Sequence, residues 1–132
     1  MKLNIFYLII IILITSCISN SQDNQDSKKP EISFKDSVYN FKSVDRGNEV
    51  KHSFIFTNTG DENLVVDKVI AGCDCTKIPY YSSGVIPPGD TGSVKIKLET
   101  AGLFGPQAKM ILVRSNAALN KRKRLIVRAY VE

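Results

Sequence analysis

The chain has 132 residues, a formal net charge of +5, three cysteines, one histidine and no tryptophan, and 43% of its residues are apolar. This length suits one domain and excludes two domains with separate hydrophobic cores. The apolar residues are unevenly distributed, because an unbroken run of ten occupies Ile5 to Ile14.

The N-terminal apolar run predicts a targeting segment. Ten helical residues rise about 15 Å, whereas a hydrocarbon core is about 30 Å thick, so the run is too short to span a membrane permanently. Lys2 precedes the run and Thr15 and Ser16 follow it, as in a signal peptide. We therefore predict a removed signal peptide over residues 1–16, and the loss of Lys2 lowers the formal charge from +5 to +4.

The residues at the end of this segment single out one cysteine. Ile14-Thr15-Ser16-Cys17 resembles the lipobox of bacterial lipoproteins, in which a branched aliphatic residue and two small residues precede an obligatory cysteine. The resemblance implies that Cys17 becomes the first residue of the mature chain and carries acyl chains such as palmitate, each buried CH₂ contributing about 0.8 kcal/mol to anchoring. The alternative is an ordinary secretory cleavage, but such sites favour small residues in an A-x-A-like pattern.

Residues 17–30 are predicted to be the lipidated cysteine and a disordered tether. Ser19 to Lys29 contains no apolar residue that could offset the entropy of ordering it. The tether reaches about 35 Å when extended and roughly 18 Å as a coil. Pro30 marks its end, and residues 31–132 form the predicted domain.

The domain has the patterns of β-strands throughout. Val94, Ile96 and Leu98 alternate with polar residues from Ser93 to Glu99, which excludes a helix there. Further strands are predicted around Phe54 and Phe56, at Leu64 to Ala71, at Met110 to Val113 and at Leu125 to Val131. Turn sequences rich in Gly, Pro, Asn and Asp separate them at residues 45–48, 58–61, 87–90 and 102–106. About seven short strands in about 100 residues predict an all-β fold, an immunoglobulin-like antiparallel β-sandwich.

Several motifs in this order resemble a known family. They are Phe54-x-Phe56-x-Asn58-Thr59-Gly60, Leu64-x-Val66, Gly72-Cys73-Asp74-Cys75-Thr76, Ile86-x-Pro88-Gly89-x-x-Gly92 and Val113-x-Ser115-Asn116. Together they resemble a bacterial domain-of-unknown-function family, number fifteen seventy-three, over roughly Phe34 to Val131. The resemblance implies an immunoglobulin-like module of the hydin and major-sperm-protein type, often found in lipoproteins or secreted proteins of Bacteroidota. The family commonly has Ser-Cys-Gly-Cys-Thr, so Gly72 and Asp74 depart from its pattern.

Cys73 and Cys75 are the side chains best suited to chemistry. In an oxidising compartment they could form a disulfide, which over so short a loop gains only about 1.5 kcal/mol, or bind a soft metal. Zinc would need further ligands beyond His52, such as Asp74 or a second chain, whereas Cu(I) accepts few soft ligands and could add Met110. A structural pair, a Cu(I) site and a thiol-exchange pair all stay open.

No catalytic residues are predicted. His52 lies on the same strand face as Phe54, which favours a partly buried packing role. The carboxylates are scattered over turns and outward strand faces, and Gly102-x-x-Gly105-Pro106 matches no phosphate-binding loop. The chain is therefore not expected to be an enzyme or to carry a cofactor other than Cu(I).

A basic run comprises Lys121, Arg122, Lys123 and Arg124. Its simplest role is to remain solvated and to keep a sheet edge from pairing. It could also contact an anionic lipid surface or an acidic glycan, whereas the predicted compartment excludes nucleic acid.

These observations predict a lipid-anchored protein of the bacterial cell envelope, facing the periplasm. Its domain would be a non-catalytic binding or structural module whose partner is another envelope protein or a glycan. The alternative is a small Cu(I)-binding or thiol-redox protein that uses Cys73 and Cys75.

Overall fold

The computed structural model of the protein describes residues 28–132. The predicted signal peptide, Cys17 and nearly all of the predicted tether lie outside the described residues. Within residues 28–132 the chain forms nine strands: β1 (Ile32–Phe34), β2 (Val38–Val44), β3 (Glu49–Asn58), β4 (Leu64–Ala71), β5 (Thr76–Tyr81), β6 (Val85–Ile86), β7 (Thr91–Glu99), β8 (Gly105–Ser115) and β9 (Arg122–Val131). The predicted all-β class is confirmed, and β1 and β6, of three and two residues, bring the number of strands above the predicted seven. No helix among these residues is long and apolar enough to cross a membrane.

The strands form two sheets that pack as a sandwich. The four-stranded sheet has the order β1-β3-β7-β5, and the five-stranded sheet has the order β2-β9-β8-β4-β6. All pairs are antiparallel except β2 with β9, which pair in parallel from Val38 opposite Ile126 to Val44 opposite Val131. The immunoglobulin-like sandwich predicted from the turns and the alternation is therefore confirmed in its two-sheet architecture.

The main core lies between the two sheets. Phe54, Phe56 and Ile96 point inward from the four-stranded sheet and are 1% exposed, and they share one cluster with Leu125 and Val127 of the five-stranded sheet. A smaller cluster of Val44, Leu98 and Ala129 fills one end of the sandwich. Alternation along β3 and β7 places these apolar side chains inside and leaves mostly polar and charged residues outside.

Buried Asn58 organises the end of the sandwich at which the described chain begins. Its Nδ2 donates to the carbonyl oxygens of Glu62 and Ile86, at 2.7 and 2.9 Å, and its Oδ1 accepts from the Gly60 amide at 3.0 Å. The Glu31 amide lies 3.4 Å from the same oxygen. We call this end, which also holds the β8–β9 loop, the chain-entry end.

The predicted turns are confirmed with two changes of boundary, since Asn58 is the last residue of β3 and β8 begins at Gly105. Gly47 and Gly89 have φ values of 92° and 83°, which a side chain would disfavour. In contrast, Gly105 and Pro106, expected within a turn, are the first residues of β8, and they pair with Val131 and Tyr130 of β9. β8 therefore begins at Gly105, two residues before the position after Pro106 that the turn composition indicates.

Candidate functional site

The structure joins Cys73 and Cys75 by a disulfide, with 5.3 Å between their Cα atoms. The bond lies in the turn between β4 and β5, at the end of the sandwich opposite the chain-entry end. Cys75 packs against the cluster that contains Leu98, and the Cys73 sulfur lies 3.4 Å from Thr76 Oγ1. Both sulfurs are thus engaged in fixing a turn.

No group of three or more His, Cys, Asp or Glu side chains in residues 28–132 is arranged to hold a metal ion. The Met110 backbone does lie beside the turn, since its carbonyl oxygen accepts from the Gly72 amide at 2.9 Å. Its side chain, 47% exposed, belongs to an outward-facing position of β8. The expected Cu(I) site remains a prediction that no contact in this part of the chain favours.

His52 has the packing position expected from the alternation of β3. It is half-buried and stacks on Tyr39 with 3.6 Å between ring centroids, while the Phe54 ring meets it edge-on at 4.7 Å. Burial lowers the pKa of His52, and the Asp36 carboxylate opposes that shift. The His52 ring, held in this aromatic stack, bridges β2 and β3 across the edges of the two sheets.

The basic run begins in the β8–β9 loop and continues into β9. Arg122 lies opposite Arg114, and the Arg114 Nε donates to Asp67 Oδ2 at 2.5 Å. From Arg122 to Leu125, β9 pairs with β8 alone, because β2 begins opposite Ile126. The run therefore borders an open stretch of β9 near the chain-entry end, in the position expected of charges that discourage strand pairing.

The outer face of the five-stranded sheet carries a surface that the sequence analysis did not identify. Val38, Ile126 and Met110 lie opposite one another across β2, β9 and β8, and Ile70 lies opposite Leu112 across β4 and β8. Val38, Met110 and Ile70 are 45%, 47% and 41% exposed, and Leu112 and Ile126 are partly exposed. We call these five residues the apolar row.

Cationic side chains flank the apolar row on the same outer face. Arg124 lies opposite Leu112, Arg128 lies opposite Ala108, and Lys68 lies opposite Arg114. The exposed carboxylate of Asp67 is already paired with Arg114. The surface is thus an apolar strip with a predominantly positive rim.

The outer face of the four-stranded sheet has a different character. Lys97 Nζ lies 2.9 Å from Glu49 Oε1 and 3.0 Å from Glu99 Oε1, and these contacts raise the pKa of Lys97. Ile55 is an exposed aliphatic residue on this face, at 41%. A solvated sheet face normally looks like this one, so the apolar row of the other sheet is the exception.

A signal for the apolar row exists in the sequence. β8 contains Met-Ile-Leu-Val from Met110 to Val113, and β9 contains Leu-Ile-Val from Leu125 to Val127, so both strands present apolar residues to both faces. Unbroken apolar runs are typical of strands that are covered on two sides, whereas β7 alternates strictly.

A groove of about 320 Å³ lies beside this surface where β2 bulges. Lys42 has a φ of 64° at the bulge, and its amide donates to Asn40 Oδ1 at 2.9 Å. Arg128, Gln107 and Tyr130 line the other side of the groove. The bulge interrupts the register of the β2 edge and leaves polar groups at the margin of the outer face.

Comparison with solved structures shows the fold. The chain is similar to a protein of unknown function from Porphyromonas gingivalis W83 at 16% identity with a TM-score of 0.69, covering 84% of this chain and 51% of that one. It is also similar to the ASH/PapD-like domain 7 of human CEP192, at 10% identity with a TM-score of 0.63, over 79% and 87% of the two chains. SSP-19, an MSP-domain protein of Caenorhabditis elegans, is similar at 14% identity with a TM-score of 0.52, over 71% and 94%. The chain thus spans about half the length of the Porphyromonas protein.

None of the curated proteins compared with the chain matches it. A family profile does match, and it covers residues 32–131, nearly all of the described part of the chain. Its range agrees with the motifs from Phe54 to Asn116 and with both sheets of the sandwich. The sandwich is similar in fold to PapD-like and MSP domains, and the chain belongs to the family described as protein of unknown function DUF1573.

Proposed function

We propose that this protein is a lipid-anchored, non-catalytic module of the bacterial cell envelope that faces the periplasm and binds a partner protein. The anchor is an acylated Cys17, supported by the lipobox-like sequence Ile14-Thr15-Ser16-Cys17. The partner binds on the outer face of the five-stranded sheet. The single observation that carries this proposal is the exposed apolar row on that face.

The composition of this face indicates a protein partner. The apolar row is aliphatic except for Met110, and a flexible methionine adapts to the shape of an apposed surface. Exposed apolar strips rimmed by polar residues are typical of protein–protein contacts, and the part-exposed side chains of the row have further apolar area to bury in such a contact. The partner therefore has an apolar centre.

The charge of the rim specifies the partner further. Lys68, Arg124 and Arg128 have no carboxylate within salt-bridge distance among residues 28–132, whereas Arg114 does. A partner with carboxylates around its apolar centre would complement these cations and would be steered toward them. We therefore propose an envelope protein with an acidic rim.

Photocrosslinking in intact cells tests the site of binding. A photoreactive amino acid at Met110 should capture one discrete protein, because Met110 lies in the middle of the apolar row. The matched control is the same amino acid at Ile55, similarly exposed on the outer face of the other sheet. Equal capture from both positions, capture of glycan alone from Met110, or no capture would refute the proposal.

A second variant separates this proposal from the redox alternative. Replacement of Cys73 and Cys75 by serine should leave crosslinking from Met110 unchanged, because the disulfide lies in the turn between β4 and β5 and not in the apolar row. Loss of the crosslink with a folded double variant would favour a function that depends on the cysteines.

The anchor is tested separately. Cys17→Ala should abolish incorporation of labelled palmitate, with Cys73→Ser as the control that retains it. Unchanged palmitate incorporation in Cys17→Ala, or none in the wild type, would overturn the lipoprotein assignment.

A further inference from the structure

We propose that the β8–β9 loop, residues 116–121, seats on an anionic phospholipid surface and inserts Leu119 into its headgroup region. This inference rests on the proposed acyl anchor at Cys17. It assigns the chain-entry end of the sandwich to the membrane and leaves the apolar row at the side of the domain.

Leu119 is exposed to an unusual degree for a leucine. At 84% it has the largest exposure among the large apolar side chains of residues 28–132. A leucine held in water in this way loses the stabilisation that burial would provide. Ala117, two residues earlier, is fully buried, so the loop is anchored at that position while it presents Leu119 to solvent.

The loop is held in place by the first described residues of the chain. The Ala118 amide donates to the Pro30 carbonyl oxygen at 2.9 Å, and the Leu119 amide donates to Glu31 Oε2 at 3.2 Å. The Asn120 side chain donates to Glu31 Oε1 at 2.8 Å. The backbone around Leu119 is therefore preorganised, and ordering it on a surface costs little further entropy.

These contacts also fix where an anchor would lie. Because Pro30 and Glu31 bond to the loop, the segment that leads back to Cys17 leaves the domain beside Leu119. A chain of eleven residues, the number from Ser19 to Lys29, can reach about 35 Å at most. An acylated Cys17 thus holds this end of the domain within reach of the headgroups.

The charges around the loop favour an anionic surface. Its last residue, Lys121, begins the basic run, and Lys28 and Lys29 lie at the same end. The carboxylate of Glu31 is engaged by the loop itself, while Asp61, Glu62 and Asp90 lie across the Asn58 turn. A lysine or arginine near an anionic leaflet adds about fivefold to the partition constant, so the basic run provides the larger attraction.

Tryptophan fluorescence tests the proposal in the full chain, which contains no tryptophan of its own. Leu119→Trp is purified and reconstituted in vesicles of phosphatidylcholine with phosphatidylglycerol, some carrying bromine on their acyl chains. The matched control is Phe104→Trp, which replaces a side chain 76% exposed in the β7–β8 loop at the opposite end. Flotation of the vesicles shows independently whether the protein is attached to them.

We expect blue-shifted emission and quenching by brominated lipid for Leu119→Trp, with neither effect for Phe104→Trp. The quenching should fall when the basic run is changed to glutamate and when salt is raised. Equal quenching at both positions, none at either, or no difference between these vesicles and pure phosphatidylcholine would overturn the proposal. A floating protein whose Leu119→Trp is not quenched refutes this inference and leaves the anchor standing, whereas a protein that does not float refutes the anchor.

Discussion

Replacement of Asn58 by alanine should lower the free energy of unfolding by about 3 to 4 kcal/mol. The side chain is fully buried and satisfies the carbonyl groups of Glu62 and Ile86 and the amide of Gly60 at 2.7 to 3.0 Å, with a longer contact to the Glu31 amide. Removing one partner of a buried hydrogen bond costs about 1 kcal/mol or more. The loss of the three short bonds and the one long contact of Asn58 therefore adds up to the expected change in the free energy of unfolding.

Urea unfolding followed by circular dichroism measures the loss. The matched control is Asn116→Ala, because Asn116 is exposed yet also bonds two backbone groups, the Val65 amide at 2.8 Å and the Asn63 carbonyl at 3.1 Å. Water replaces those bonds, and we expect a loss of about 1 kcal/mol or less. Equal losses for the two variants, or a loss below about 1 kcal/mol for Asn58→Ala, would refute the conclusion that burial makes Asn58 the organiser of the chain-entry end.

Three further changes probe other parts of the sandwich. Gly92→Ala places a Cβ against the ring of buried Phe56 and should lower the free energy of unfolding in urea by about 1 to 3 kcal/mol. Combining it with Phe56→Leu should restore part of that stability, and strictly additive losses in the double variant would contradict the clash. Burial lowers the pKa of His52, so the unfolded chain binds the proton more readily than the folded chain does. The free energy of unfolding should therefore fall as the pH drops through about 6.5. His52→Phe should remove that dependence, and an unchanged pH profile in this variant would show that another group causes it. Replacing Cys73 and Cys75 by serine should lower the free energy of unfolding by about 1.5 kcal/mol. A double variant as stable as the wild type would show that packing alone holds the turn.

The fold could be predicted from the sequence because the local patterns of apolar and turn residues agree with the tertiary structure over most of the domain. The alternation around Val94 and Ile96 and the turn residues at Gly47 and Gly89 act within a few positions, and the structure follows them. The short strands β1 and β6 carry no such signal. They are strands because a neighbour pairs with them, at Phe34 opposite Phe56 and at Ile86 opposite Leu64.

The candidate surfaces were harder to predict from the sequence because they depend on which strands are neighbours. The apolar runs at Met110 and Leu125 indicate that both faces are apolar, but only the register places Met110 opposite Ile126 and Ile126 opposite Val38. Similarly, the basic run is visible in the sequence, whereas the contacts that hold Leu119 beside Glu31 join residues 88 positions apart. Side chains brought together by long-range pairing leave no periodic pattern of their own.

The parallel pairing of β2 with β9 also constrains how the domain can fold. Val38 lies opposite Ile126, so the second strand of the domain finds its partner only when the last strand is available. Closing so long a loop is entropically slow, and a sheet that depends on it forms late. During synthesis the domain would therefore complete its five-stranded sheet only after β9 has been made. Until that pairing forms, the edge of β9 that β2 will occupy, along with the apolar residues beside it, is open to any chaperone or neighbouring strand.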